Sequence, residues 1–169
     1  HYPAIGWIDS YSEYAEEVRD WWDKFDPRWA GIRLEALELL KKEQRLEQIV
    51  RLIGPDALPD TERLVLSVAE MIKNGFLQQN AFDEVDVYSV PEKQILILQL
   101  MIGFYKRALG VIKQGCPLLK INTLTCKEEI IRIKTSVPND KLEMIKEVEN
   151  HFENEFGNLE RLYRKVETI

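Results

Sequence analysis

Positive charge is in the minority in this sequence. Lysine and arginine together number 23 against 29 aspartates and glutamates, a formal net charge of −6. A chain that holds nucleic acid needs a basic face for the phosphates, so the balance excludes nucleic acid as the main partner. The two cysteines, Cys116 and Cys126, are too few for a secreted disulfide scaffold and point to a cytosolic chain. His1 and His151 stand apart from them, so no ligand set with metal spacing forms and no metal site is expected. No Gly-x-Ser-x-Gly elbow is present. Gly110 and Gly115 have the spacing of a phosphate loop. Cys116-Pro117 follows them where Lys-Ser/Thr is required, and they end a helix instead of opening one. No basic leader with an apolar run opens the chain, so no signal peptide is expected. The most apolar run, Ile95 to Phe104, is too short to span a bilayer and suits a buried helix. Period-two alternation is almost absent, which removes the sheet signal. The carboxylates fall on helix faces, where charge runs are solvated. The chain alone is expected to do no catalysis.

What remains is helical. Apolar residues make up 45% and charged residues 31%, a globular composition over 169 residues. Residues 1–11 read as irregular, and Ser10 or Ser12 can cap a first helix through YAEEVRDWWDKF. Asp26-Pro27 signals a second helix, running to Ile53 with Leu34, Leu37, Leu40, Leu46, Ile49, Val50 and Ile53 as its inward stripe. Gly54 stops it. GPDALPD is a tight turn, after which Asp60 opens a helix through Leu64, Val65, Val68, Ala69 and Ile72. Ser89 and Glu92 have capping-box spacing ahead of EKQILILQLMIGFYKRALGVIKQG. TCKEEIIRIKTS is a shorter segment. Asn139 can cap a last helix whose stripe is Leu142, Ile145, Val148, Phe152, Phe156, Leu159 and Leu162. The expected fold is all-α, a bundle of about six helices including a long antiparallel helical hairpin.

The segment GFLQQNAFDEVD, residues 75–86, does not fit a plain bundle. Phe76 and Phe82 flank Gln78, Gln79 and Asn80, too polar for a core helix and too aromatic for a surface loop. Taken alone, the two rings read either as core residues under a loop or as a stacking platform for a flat ligand. All four tryptophans lie in the first 29 residues, and with Tyr11 they form either a local core or an apolar face for something else.

HYPAIGWIDSYS, VRLIGPDALPD, GFLQQNAFDEVD and KEEIIRIK together, in this order and spacing, make the chain resemble the C-terminal helical domain of the catalytic A subunit of archaeal A-type and vacuolar V-type rotary ATPases. The likeness covers essentially the whole chain and is weaker after about residue 115. It implies that residues 1–12 are a junction from an upstream nucleotide-binding core and residues 13–169 the helical bundle, a fragment of a longer polypeptide. The parent would hydrolyse or make ATP; this part, without the phosphate loop, would be inactive alone. The resemblance implies that Tyr2, Phe76 and Phe82 surround the adenine of ATP or ADP, with Gln78, Gln79 and Asn80 near its polar edge, and that magnesium is held only by the missing core. Asp56, Ala57, Leu58, Pro59 and Asp60 would touch the central-stalk rotor, with an exposed Leu58 as the mark of such contact. Non-catalytic B-type subunits in an alternating hexamer would be the other partners, with proton or sodium transport through a separate membrane sector. The chain would be cytoplasmic, peripheral to the membrane, without inserting into it. The motif departs at Asn74-Gly75, where the glycine predicts a loosened or broken helix before Phe76. The rival readings are a free-standing acidic helical module for protein interaction and an autonomous nucleotide binder.

Overall fold

The structure, a computed structural model, describes residues 21, 22, 24, 26–78, 85 and 88–164. Among them the regular elements are helices. Helix α1 runs Trp29–Ile53. Its start lies two residues beyond the Asp26-Pro27 signal, because the Asp26 carboxylate takes the Arg28 backbone N–H at 2.8 Å and its guanidinium as well. That contact holds Pro27-Arg28 in a turn before the helix begins. Gly54 ends α1 with φ at 85° and its N–H on the Val50 carbonyl at 2.8 Å. A single turn at Pro55–Ala57 leads into α2, Asp60–Ile72. The α2 backbone continues through a π-helical turn, Lys73–Leu77.

Helix α3 spans Pro91–Lys113, the short α4 Leu118–Asn122, α5 Thr125–Ser136 and α6 Met144–Tyr163. By length and composition α3 is apolar enough to cross a membrane, with a mean hydropathy of 1.7 over its best 18-residue window. In this fold it is the central core helix. It packs against α1, α2, α5 and α6. Ile97, Leu98, Met101, Phe104 and Ala108 are buried there with Leu64, Val68, Ile130, Ile133 and Phe156. Arg107 fastens α3 to α6. Its guanidinium donates to Glu160 at 2.8 Å and lies over the Phe152 and Phe156 rings. Glu155 of α6 accepts the Cys126 N–H at 2.8 Å, capping the first turn of α5 from another helix.

Several local expectations change. The inward seam of α1 is Ala36, Leu39, Leu40, Glu43 and Leu46, whereas Leu34, Ile49 and Ile53 are exposed. The helix carries two apolar stripes, and only one meets the core. The buried Glu43 faces Lys73 at 2.5 Å, so its charge is compensated across the α1–α2 pair. Burial pushes the Glu43 carboxyl above the usual carboxylate value, with Lys73 opposing that shift. Ser89 and Glu92 make no capping box; the Ser89 hydroxyl is buried without a hydrogen-bond partner. Asn139 does not cap α6. It accepts the Val90 N–H at 3.3 Å and donates to the Tyr88 carbonyl at 2.8 Å, fixing the entry to α3. Leu162, placed in the α6 stripe by its spacing, is exposed.

Candidate functional site

Gly75 does not break the helix before Phe76. It sits buried in the π-helical turn, and a Cβ there would lie 3.0 Å from the Ile131 Cα. The glycine lets two backbones touch at a close crossing of α5, and around it the α-helix loosens into the wider π-helical turn without breaking before Phe76. Phe76 follows at once, half-buried and packed on the core. The Lys134 ammonium donates to the Phe76 carbonyl at 3.1 Å and to the Gln78 carbonyl. Lys93, fully buried, donates to the Lys134 carbonyl at 2.8 Å. The two lysines thus satisfy carbonyls that appear where the helix unwinds and where α5 ends.

Phe76 and Leu77 line a groove of about 310 Å³ with Tyr88, Ser89, Gln94, Ile97 and Lys134. That volume is at the lower end for ligand pockets, about 300–1,000 Å³. Tyr88 is 64% exposed, and Gln94 donates to the Ser89 carbonyl at 2.9 Å. The groove therefore offers an aromatic wall at Phe76 and the exposed Tyr88 phenol, with the Ser89 hydroxyl buried behind its lining. Gln78 lies at the end of the π-helical turn, its backbone N–H on the Lys73 carbonyl at 2.9 Å. Tyr2, Gln79, Asn80 and Phe82 lie outside the described residues, as do Trp7 and Tyr11. Of the tryptophans, Trp22 stacks on Trp29 with ring centroids 4.7 Å apart, and Trp21 is half-exposed. Sequence reasoning missed Tyr88, Lys134 and Asn139 as parts of this site. Only Lys134 gave a signal, a lysine inside the apolar IIRIK stretch.

At the other end of α2 is the turn after Gly54. Asp56, Ala57 and Pro59 are exposed. Leu58 is 7% exposed and belongs to the core, which corrects the expectation of an exposed apolar side chain there. Asp60 is half-buried; its carboxylate accepts the Leu118 N–H at 2.8 Å and faces Arg63 at 3.5 Å. It ties the turn to α4. The exposed large apolar side chains nearest in sequence are Leu52 and Ile53.

A family model described as the C-terminal domain of V and A type ATP synthase matches residues 19–122, more than half of the chain. The chain belongs to this family. It is 46% identical over 158 residues to the A subunit of the A-type ATP synthase of Pyrococcus abyssi, covering 92% of this chain and 16% of that protein. Over 158 residues it is 44% identical to the corresponding protein of Thermococcus onnurineus, 92% of this chain and 27% of the relative. The V-type ATP synthase alpha chain of Halothermothrix orenii is 40% identical over 166 residues, 98% of this chain and 28% of the relative. The chain thus spans less than a third of the length of these relatives. As a V and A type ATP synthase C-terminal domain, it is helical among the described residues. Phe76 and the exposed turn residues lie at opposite ends of one helical segment.

Proposed function

We propose that this domain closes over the adenine end of ATP or ADP in the catalytic subunit of a rotary ATPase and passes that closure to the central rotor. The observation that carries the reading is the continuity of α2. From Asp60 to Leu77 the backbone is helical without interruption, roughly 25 Å. Phe76 is at one end and the Pro55–Ala57 turn at the other. A rigid segment of this kind transmits displacement because packed helices shift as bodies. Family membership and the Phe76–Tyr88 groove support the nucleotide end. A flat apolar base suits an aromatic wall, and the Tyr88 phenol and the Gln94 amide offer hydrogen bonds to a polar edge.

In this reading residues 1–12 enter from a nucleotide-binding core, and residues 13–169 form the helical domain. Tyr2 and Phe82 complete the aromatic surround, with Gln78, Gln79 and Asn80 beside it. Magnesium and the phosphates are held by the core, so the chain alone is inactive. B-type subunits alternate with the parent in a hexamer. Asp56, Ala57, Pro59 and Asp60 approach the rotor, and Leu58 braces them from within. The assembly moves protons or sodium ions and lies on the cytoplasmic side, peripheral to the membrane.

The test is Phe76→Leu in the full-length parent, which keeps apolar packing and removes the ring. Loss of stacking worth about 1–3 kcal/mol should raise the KM for ATP while the domain's melting temperature holds. An unchanged KM assigns Phe76 to packing alone.

A further inference from the structure

Helix α1 has an outward stripe that the core does not use. Leu34, Glu38, Lys42, Arg45, Ile49 and Leu52 recur at three- and four-residue spacing, so they share one face, turned away from Ala36, Leu39, Leu40, Glu43 and Leu46. The stripe is about 27 Å long at the standard helical rise. Its ends are apolar and exposed: Leu34 at 58%, then Ile49 at 40%, Leu52 at 85% and Ile53 at 64%. Its middle is net basic: three cations, Lys42 and Arg45 on the stripe and Lys41 beside it, outnumber the one carboxylate there, Glu38. Lys41, Lys42 and Arg45 are exposed and form no ion pair with a described residue. In a chain of net charge −6, this is a local reversal of sign. Isolated surface leucines need no explanation, but a contiguous apolar group beside exposed cations marks an interaction face.

We propose that this stripe docks an acidic amphipathic helix of another protein chain, with apolar residues at both ends of its contacting face and carboxylates between them. The three- and four-residue spacing makes ridges that fit the grooves of a second helix. The cations select the partner's charge and set its register. A phosphate polymer would leave the apolar ends uncovered, and a lipid surface needs a broader apolar face than one stripe. The inference is independent of the rotary reading, since it rests on α1 alone and not on the Pro55–Ala57 turn.

The probe is a fluorescein-labelled synthetic helix about as long as the stripe, with leucines at both ends of one face and glutamates between them. It is titrated with the 169-residue chain by fluorescence anisotropy. The expected result is saturable binding at low salt, weakened about tenfold by Lys42→Glu with Arg45→Glu, by Leu52→Ser, or by about 0.5 M salt. A peptide with lysines in place of the glutamates should not bind. These positions are exposed, so thermal unfolding should show the variants folded. The proposal is overturned if the acidic peptide does not bind saturably or if the variants bind it equally well. It is also overturned if the same substitutions abolish self-association in sedimentation, which makes the occupant a second copy. Equal dependence of duplex DNA or anionic vesicle binding on these residues would reassign the face to that class.

Discussion

Gly75 lies so close to Ile131 that a side chain has no place between them: a Cβ on Gly75 would be 3.0 Å from the Ile131 Cα and 3.1 Å from its carbonyl oxygen. The same Cβ would meet the Met101 methyl at 2.7 Å. Met101 can turn aside, but the Ile131 backbone cannot move without shifting α5. The π-helical turn carrying Phe76 is therefore set by this crossing.

Gly75→Ala should consequently destabilise the domain by about 1–3 kcal/mol, the usual range for overpacking. Gly110→Ala is the control, because nothing lies within 4 Å of a Cβ there. Placed in the last turn of α3, it should be neutral or slightly stabilising. Chemical denaturation of the two variants checks the difference, and equal midpoints would contradict the close crossing.

The turn after α1 separates into packing and exposed residues. Leu58→Ala removes a buried side chain and should cost about 2–5 kcal/mol. Asp56→Ala, at an exposed position, should stay within about 0.5 kcal/mol of the parent. Thermal unfolding reads both. A small effect at Leu58 would return that residue to the surface.

Acid should loosen α6 from its neighbours. Hydrogen bonds from Arg107 hold the Glu160 carboxyl below its usual value, against burial. At Glu155 burial pushes upward, but the N–H groups of Cys126 and Thr125 outweigh it and the net shift is downward. A carboxyl with a lowered folded pKa contributes stability above its unfolded value. That contribution is lost as pH falls through the folded value. Melting temperature should therefore fall below about pH 4.3, the ordinary glutamate range, and Glu160→Gln should lessen the slope. His151 acts on the other side. A hydrogen bond with Glu129 raises its pKa, so its contribution is complete below about pH 6.5 and drains as pH rises through the folded value. His151→Gln should remove that alkaline loss. A melting temperature with the same pH profile in both variants would contradict these assignments.

Local patterns carried much of this architecture. TCKEEIIRIKTS has the bounds of α5, and Gly54 ends α1 with the positive φ that favours glycine. The Leu64, Val65, Val68, Ala69 and Ile72 stripe is buried as its spacing requires. Contacts between distant segments were not legible. Asn139 holds Val90, 49 residues away, and nothing near either residue announces it. Leu34, Ile49 and Ile53 match helical periodicity as well as the true seam does, so spacing alone could not choose the buried face of α1. The Phe76 site was legible as an aromatic anomaly, whereas its supports, Lys134 and Tyr88, come from segments that only the fold brings together.

Everything in the proposed function turns on α2 carrying closure from the adenine end to the rotor. Single-molecule torque in the assembled motor reads this without intermediary, with α1 and α2 each shortened by one helical turn beside the Pro55–Ala57 turn. The shortening withdraws the tip by roughly 5 Å. Torque should fall, or hydrolysis should uncouple from ion transport, with ATP binding retained. Unchanged torque from the shortened motor would show that the closure reaches the rotor by another route.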